Sequence, residues 1–307
     1  MRQPEPRMTV TLVNLAPSAF VQSLLSPGLE TAQGPVSLAR YVSGVEPGRA
    51  TACWGALNHA LHDGHSALGD RPGLRALIQL RDRIAARRAP SWRRVFTGQG
   101  EVAHLQAVWA FMLEHRDWLA QLEHRGERPF EAYFCIGGHP IQAMVADGLF
   151  GYDCLGFVGN YLVQAGLREV YPECEVRGYP RHLGLRPLET VAEIEPLTLL
   201  AWTRTGTQHI AVVDRIVERS RSSVVVDLCQ SSRGGPQHNR RVRLRLARVE
   251  EGDPPARIGT TTCTEFFIGA LGTPACPVPG WVAALRNDDW VLAVPGSVAE
   301  ATEPALA

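Results

Sequence analysis

The residues best suited to chemistry lie in the run Gly151-Tyr152-Asp153-Cys154-Leu155-Gly156-Phe157-Val158 and in the later run Gln208-His209-Ile210-Ala211-Val212-Val213-Asp214. Cys154 follows a turn and opens a helical stretch. Leu155, Val158 and Leu162 are spaced for one apolar face of it, with Phe157 and Tyr161 alongside. Asp153 is the residue type that caps a helix N-terminus. A thiol in the first turn feels the positive end of the helix dipole and its unpaired backbone N–H groups, so a thiolate is expected there. His209 begins an apolar run bounded by Thr205-Gly206-Thr207 and Asp214-Arg215, the pattern of a buried strand that starts at a sheet end. A helix-borne cysteine facing a strand-borne histidine is an arrangement for nucleophilic acyl transfer.

A third residue must orient the imidazole, and the next strand, Ser223 to Ser232, offers Asp227 or Gln230. Period-2 alternation puts these two on opposite faces, so only one can serve. Gln230 is favoured because Val226 and Leu228 share its periodic set and face the core, and a neutral amide can still hold the ring. Asp227 is the stronger electrostatic partner and remains the alternative.

In order and spacing these elements resemble the NlpC/P60 family of papain-like cysteine peptidases and amidases. Phe134-Cys135-Ile136-Gly137-Gly138 matches an upstream aromatic-x-x-Gly-Gly element, and Asp153-Cys154-Leu155-Gly156-Phe157 matches the nucleophile motif. The His209 strand and a further strand with a polar third residue follow. The likeness covers roughly 128–245. Leu155 stands where the family has serine, Phe134 stands at the tyrosine position with Tyr133 one residue out of register, and Pro196-Leu197-Thr198 replaces a Pro-Gly-Asp turn. The resemblance implies an α+β, papain-like core in which a helix bearing the cysteine packs on an antiparallel sheet bearing the histidine. It further implies Cys154 as nucleophile, His209 as base, Gln230 as orienting residue, and an amide in a short peptide or isopeptide as substrate, with the peptidoglycan stem peptide as the best-known class.

Other clusters have plainer explanations. His59, His62 and His65 flank Asp63-Gly64 at a spacing that could ligate a metal, but a helix running out explains them equally and no second cluster supplies the missing ligands. Arg81, Arg83, Arg87, Arg88, Arg93 and Arg94, with Trp92 among them, read as a solvated helix face and its cationic end. Gly234-Gly235-Pro236 and Gly137-Gly138 lack the spacing of phosphate loops. No metal, nucleotide or other cofactor is expected.

The chain has 307 residues, of which 45% are hydrophobic and 20% charged, a globular composition. Lys+Arg and Asp+Glu both number 31, so net charge gives no reason to expect nucleic acid as a partner. Seven cysteines without paired short spacing suggest no disulfide framework, as in a reducing compartment or a bacterial protein independent of disulfides. Residues 1–20 lack an export signal and no apolar run is long enough to span a membrane. This points to a cytoplasmic protein or to one secreted without a conventional signal peptide.

Residues 52–88 and 100–125 carry helical periodicity, so 1–125 is expected to be a mostly helical accessory region. The catalytic domain is expected over 126–296, with strands from about 190 to 248, and a flexible tail over 297–307. The leading expectation is a cysteine hydrolase. A catalytically silent binding or scaffold protein, and an acyltransferase using the same Cys-His pair, remain open, and oligomeric state is not legible.

Overall fold

The computed structural model describes residues 11–44, 48–67, 72–86, 92–135, 137–172, 174–175, 178–188, 190–204, 207–221, 223–246, 263–267 and 282–293. The first half is mainly helical: β1 (Thr11–Val13), α1 (Pro17–Leu25), the hairpin β2 (Leu29–Thr31) and β3 (Gly34–Val36), then α2 (Arg49–Ala67), α3 (Pro72–Ala86), α4 (Trp92–Val95), α5 (Val102–Glu114) and α6 (Arg116–Ala120). Three helices lead into the sheet region, α7 (Glu131–Cys135), α8 (Pro140–Ala146) and α9 (Cys154–Gln164), and α10 (Tyr179–Leu183) follows. The strands are β4 (Arg186–Pro187), β5 (Leu199–Arg204), β6 (Thr207–Arg219), β7 (Ser223–Ser232), β8 (Gly235–Leu246), β9 (Cys263–Phe267), β10 (Val282–Arg286) and β11 (Trp290–Leu292).

A seven-stranded sheet in the order β4-β10-β5-β6-β7-β8-β9 forms the centre, and each of its pairings is antiparallel. The chain is therefore a mixed helix-and-sheet fold built on an antiparallel sheet. β7 is buried along nearly its whole length, so the sheet is covered on both faces. Alternation sorts its side chains. Ile210, Val212 and Cys229 join the helices in the larger core, whereas Ala211, Val213, Val224, Val226 and Leu228 meet Leu188, Val191 and Ile194 in a smaller one. Gln230 follows Val226 and Leu228 in this alternation; that set faces the smaller core, whereas Cys154 packs in the larger one.

The larger core draws on residues from Val13 to Trp290, so 1–125 and 126–296 pack into shared apolar volume. Phe20 of α1 lies against Phe157 and Tyr161 of α9, with centroids 5.5 and 5.8 Å away. Tyr161 donates its hydroxyl proton to the Leu15 carbonyl at 2.9 Å. The N-terminus of α1 is fixed by its Ser18 N–H, which donates to the buried Asp214 carboxylate at 2.9 Å.

Some expectations shift in detail. The helix expected over 52–88 is two helices, α2 and α3, and the one over 100–125 breaks at His115, where φ is −106° and ψ 26°. Trp92 is buried in the core rather than interleaved among surface arginines, and Arg87 and Arg88 lie outside the described residues. The tail expected over 297–307 lies outside the described residues. No helix among the described residues is long and apolar enough to cross a membrane.

Candidate active site

Asp153 caps α9 as its sequence position predicts. Its backbone is extended, and its Oδ1 accepts the Gly156 N–H at 2.6 Å. Its Oδ2 accepts a second hydrogen bond, from Gln99 Nε2, also at 2.6 Å. The first helical residue is then Cys154, only 4% exposed. The turn before it is fastened on three sides: Tyr152 N–H donates to the Arg40 carbonyl at 3.0 Å, Asp153 N–H to the Gly98 carbonyl at 2.9 Å, and Ser231 Oγ to the Tyr152 carbonyl at 2.6 Å. Asn160, one helical turn past Gly156, accepts from Val102 N–H and donates to the carbonyls of Gly100 and Gly156, each at 2.8 Å.

The Cys154 sulfur faces the backbone N–H groups of Ile210, Leu155 and its own residue, each of which favours thiolate. Burial opposes them and prevails, aided by the Asp153 charge, so the thiol is pushed up to about 12. This corrects the expectation of a resting thiolate. A helix N-terminus contributes partial charges, whereas burial removes the solvation of a full one. Asp153 is itself raised to about 6, chiefly by burial, against the pull of its hydrogen bonds from Gly156 and Gln99.

His209 lies near the start of β6, the residue before the one whose N–H meets the Cys154 sulfur. Its Nε2 is 2.6 Å from Gln230 Oε1. Burial lowers its pKa below the ordinary imidazole value, and the Gln230 contact opposes part of that shift. A neutral Cys154 thiol and a neutral His209 imidazole are the resting states these shifts favour. Gln230 is 1% exposed and donates its own Nε2–H to Asn239 Oδ1 at 3.2 Å.

Asp227, the alternative to Gln230, points elsewhere. It is fully buried, accepts Arg215 Nε and Arg241 N–H at 2.7 Å each, and lies 3.8 Å from His238 Nε2. Tyr133 and Phe134 have other partners. The Tyr133 hydroxyl donates to Asp147 Oδ2 at 2.7 Å under the Arg49 guanidinium, 5.2 Å from the ring centroid, and Phe134 packs on the core.

Sequence reasoning missed Tyr41. Its half-buried phenol is raised to about 12 by burial and then by the fields of Cys154 and Asp153, against a hydrogen bond with Ser43. The sequence carries a signal for it: Tyr41-Val42-Ser43-Gly44 has the same aromatic-x-x-Gly spacing as Phe134-Cys135-Ile136-Gly137. Gln99, Asn160 and Asn239 carry no such signal.

Around His59 and His62, a 430 Å³ cleft is lined by Trp54, Asn58, His124 and Arg125. The His65 side chain lies outside the described residues, and among those described no three His, Cys, Asp or Glu side chains form a metal-holding group. Comparison with protein-family models, with curated proteins and with solved structures finds no match.

Proposed function

We propose that this chain is a cysteine hydrolase with a papain-like core of NlpC/P60 type, cleaving an amide bond in a short peptide or isopeptide, with peptidoglycan stem peptides as the first class to test. The observation that carries the reading is the 2.6 Å His209–Gln230 contact directly beside the Ile210 N–H that faces the Cys154 sulfur.

With Nε2 facing Gln230, Nδ1 of His209 acts as the base. The neutral imidazole takes the thiol proton as sulfur attacks the carbonyl carbon and the carbonyl π pair moves onto oxygen. The Cys154 N–H and the Tyr41 phenol, which stays protonated at neutral pH, are the donors for that oxyanion. Collapse breaks the C–N bond while Nδ1–H protonates the departing amine, leaving a thioester. Water, deprotonated by the same nitrogen, attacks the thioester, and the thiolate leaves to regain its proton. An amine or alcohol in place of water would make the same site an acyltransferase.

The direct test is a panel of stem tetrapeptides, γ-linked dipeptides and isopeptides incubated with the full chain and read by mass spectrometry. Cleavage at one linkage that is lost in Cys154→Ala is expected, and cleavage retained by that variant overturns the proposal. A silent scaffold is the second reading. The observation favouring it is the same thiol, 4% exposed and raised to about 12. Its mark would be no acylation of Cys154 by any ester or peptide of the panel.

A further inference from the structure

Because Gln230 is 1% exposed, protein partners rather than bulk water decide which end of its amide faces His209. The oxygen faces Nε2 of His209 and the nitrogen faces Asn239 Oδ1. An amide oxygen only accepts, so His209 Nε2 must carry the ring proton and Nδ1 must be bare. Were the amide turned over, it would offer an N–H to Nε2 and drive the proton onto Nδ1, the nitrogen needed as base.

Asn239 reaches Gln230 because the ladder between β7 and β8 slips. Val226 is opposite Val242, yet Leu228 is opposite Asn239, where an unbroken ladder would bring Arg240. Arg241 sits at φ 56° within the slipped stretch. Its N–H donates to Asp227 Oδ1, and the other oxygen of that carboxylate accepts from Arg215 Nε. Bulges of this kind re-aim side chains beside functional sites.

We infer that Asn239, brought into place by the Asp227-clamped bulge, is a positioning residue that sets the tautomer of His209 through Gln230. Its catalytic consequence rests on the hydrolase reading; the tautomer itself does not.

The test is long-range 1H–15N NMR of the uniformly labelled full chain at pH 8, with the His209 ring identified by its loss in His209→Gln. Wild type is expected to hold the proton on Nε2. Asn239→Leu, which cannot accept from Gln230, is expected to raise the Nδ1–H form to a comparable population. Asn239→Asp, whose carboxylate only accepts, is expected to keep the proton on Nε2. Should the leucine variant fail to fold, Asn239→Ser, too short to reach Gln230, carries the same expectation. An unchanged Nε2–H signal in the leucine or serine variant overturns the inference. If a cleaved substrate is in hand, kcat falls roughly tenfold in Asn239→Leu with little change in KM and recovers in Asn239→Asp. A chain that cleaves nothing while its tautomer responds would sink the hydrolase reading and leave this inference standing.

Discussion

Gly98 and Gly156 are in backbone contact: a Cβ built on Gly156 would lie 1.8 Å from the Gly98 carbonyl oxygen. Gly98 itself has φ +83°, and a Cβ there would fall 1.7 Å from the Val42 carbonyl oxygen. The Cys154 helix thus docks on a loop from the first half of the chain with no room for a methyl group. Gly156→Ala and Gly98→Ala are each expected to cost about 3 kcal/mol in urea unfolding, through overpacking and, at Gly98, backbone strain. A loss below about 0.5 kcal/mol in either, the range of an ordinary surface change, would contradict that contact.

Asp153→Asn is expected to stabilise the protein at pH 8. The carboxyl is raised from 3.8 to about 6 in the fold. Its contribution is therefore fully present below the unfolded value and lost as pH rises through about 6. The buried charge then costs on the order of 3 kcal/mol, while asparagine keeps the cap. The advantage of the variant should shrink as pH falls from 7 to 4 in thermal melts. A variant less stable than wild type at pH 8 would refute this sign.

Removing the same charge should also make the Cys154 thiol more acidic, since Asp153 adds to the burial that raises it. With iodoacetamide at pH 7 and peptide mapping, exposed Cys135 is expected to react well before Cys154 in wild type, and the Cys154 rate should rise in Asp153→Asn. Rapid labelling of wild-type Cys154 at that pH would mean a thiolate that burial does not suppress.

Loss of activity at low pH should set in below the ordinary imidazole value, because burial lowers the His209 pKa and the neutral ring is the proposed base. Gln230→Glu would place a carboxylate against Nε2 and move that limb upward, and Gln230→Ala should lower kcat by roughly ten- to a hundredfold. A pH profile unmoved by Gln230→Glu would separate this residue from the base.

Tyr41→Phe removes the phenol in the field of Cys154 and should lower kcat by roughly a hundredfold, as loss of one oxyanion donor does, without altering the unfolding midpoint by much. Unchanged turnover would assign Tyr41 a packing role.

What could be read from the sequence was local. Asp153 as cap, Cys154 as the first helical residue, the His209 strand and the side of β7 that Gln230 occupies all follow from periodicities of one element. Tyr41 could not be found that way, because more than a hundred residues separate it from Cys154 and only the fold brings them together. The same holds for Gln99 on Asp153, while Asn239 depends on a ladder slip that no strand pattern announces. The ionisation of Cys154 departs from the sequence expectation because the helix dipole is visible in a sequence and the depth of burial is not.

The most direct measurement is acylation by 4-nitrophenyl acetate at pH 8, followed by intact mass and peptide mapping. The chain has no lysine, so amine background is low. A stoichiometric burst with the acetyl group on Cys154, slowed by at least roughly a hundredfold in His209→Ala, is the expected result. An acetyl group confined to other cysteines, or a Cys154 rate unchanged without His209, would contradict the nucleophile and base assigned here.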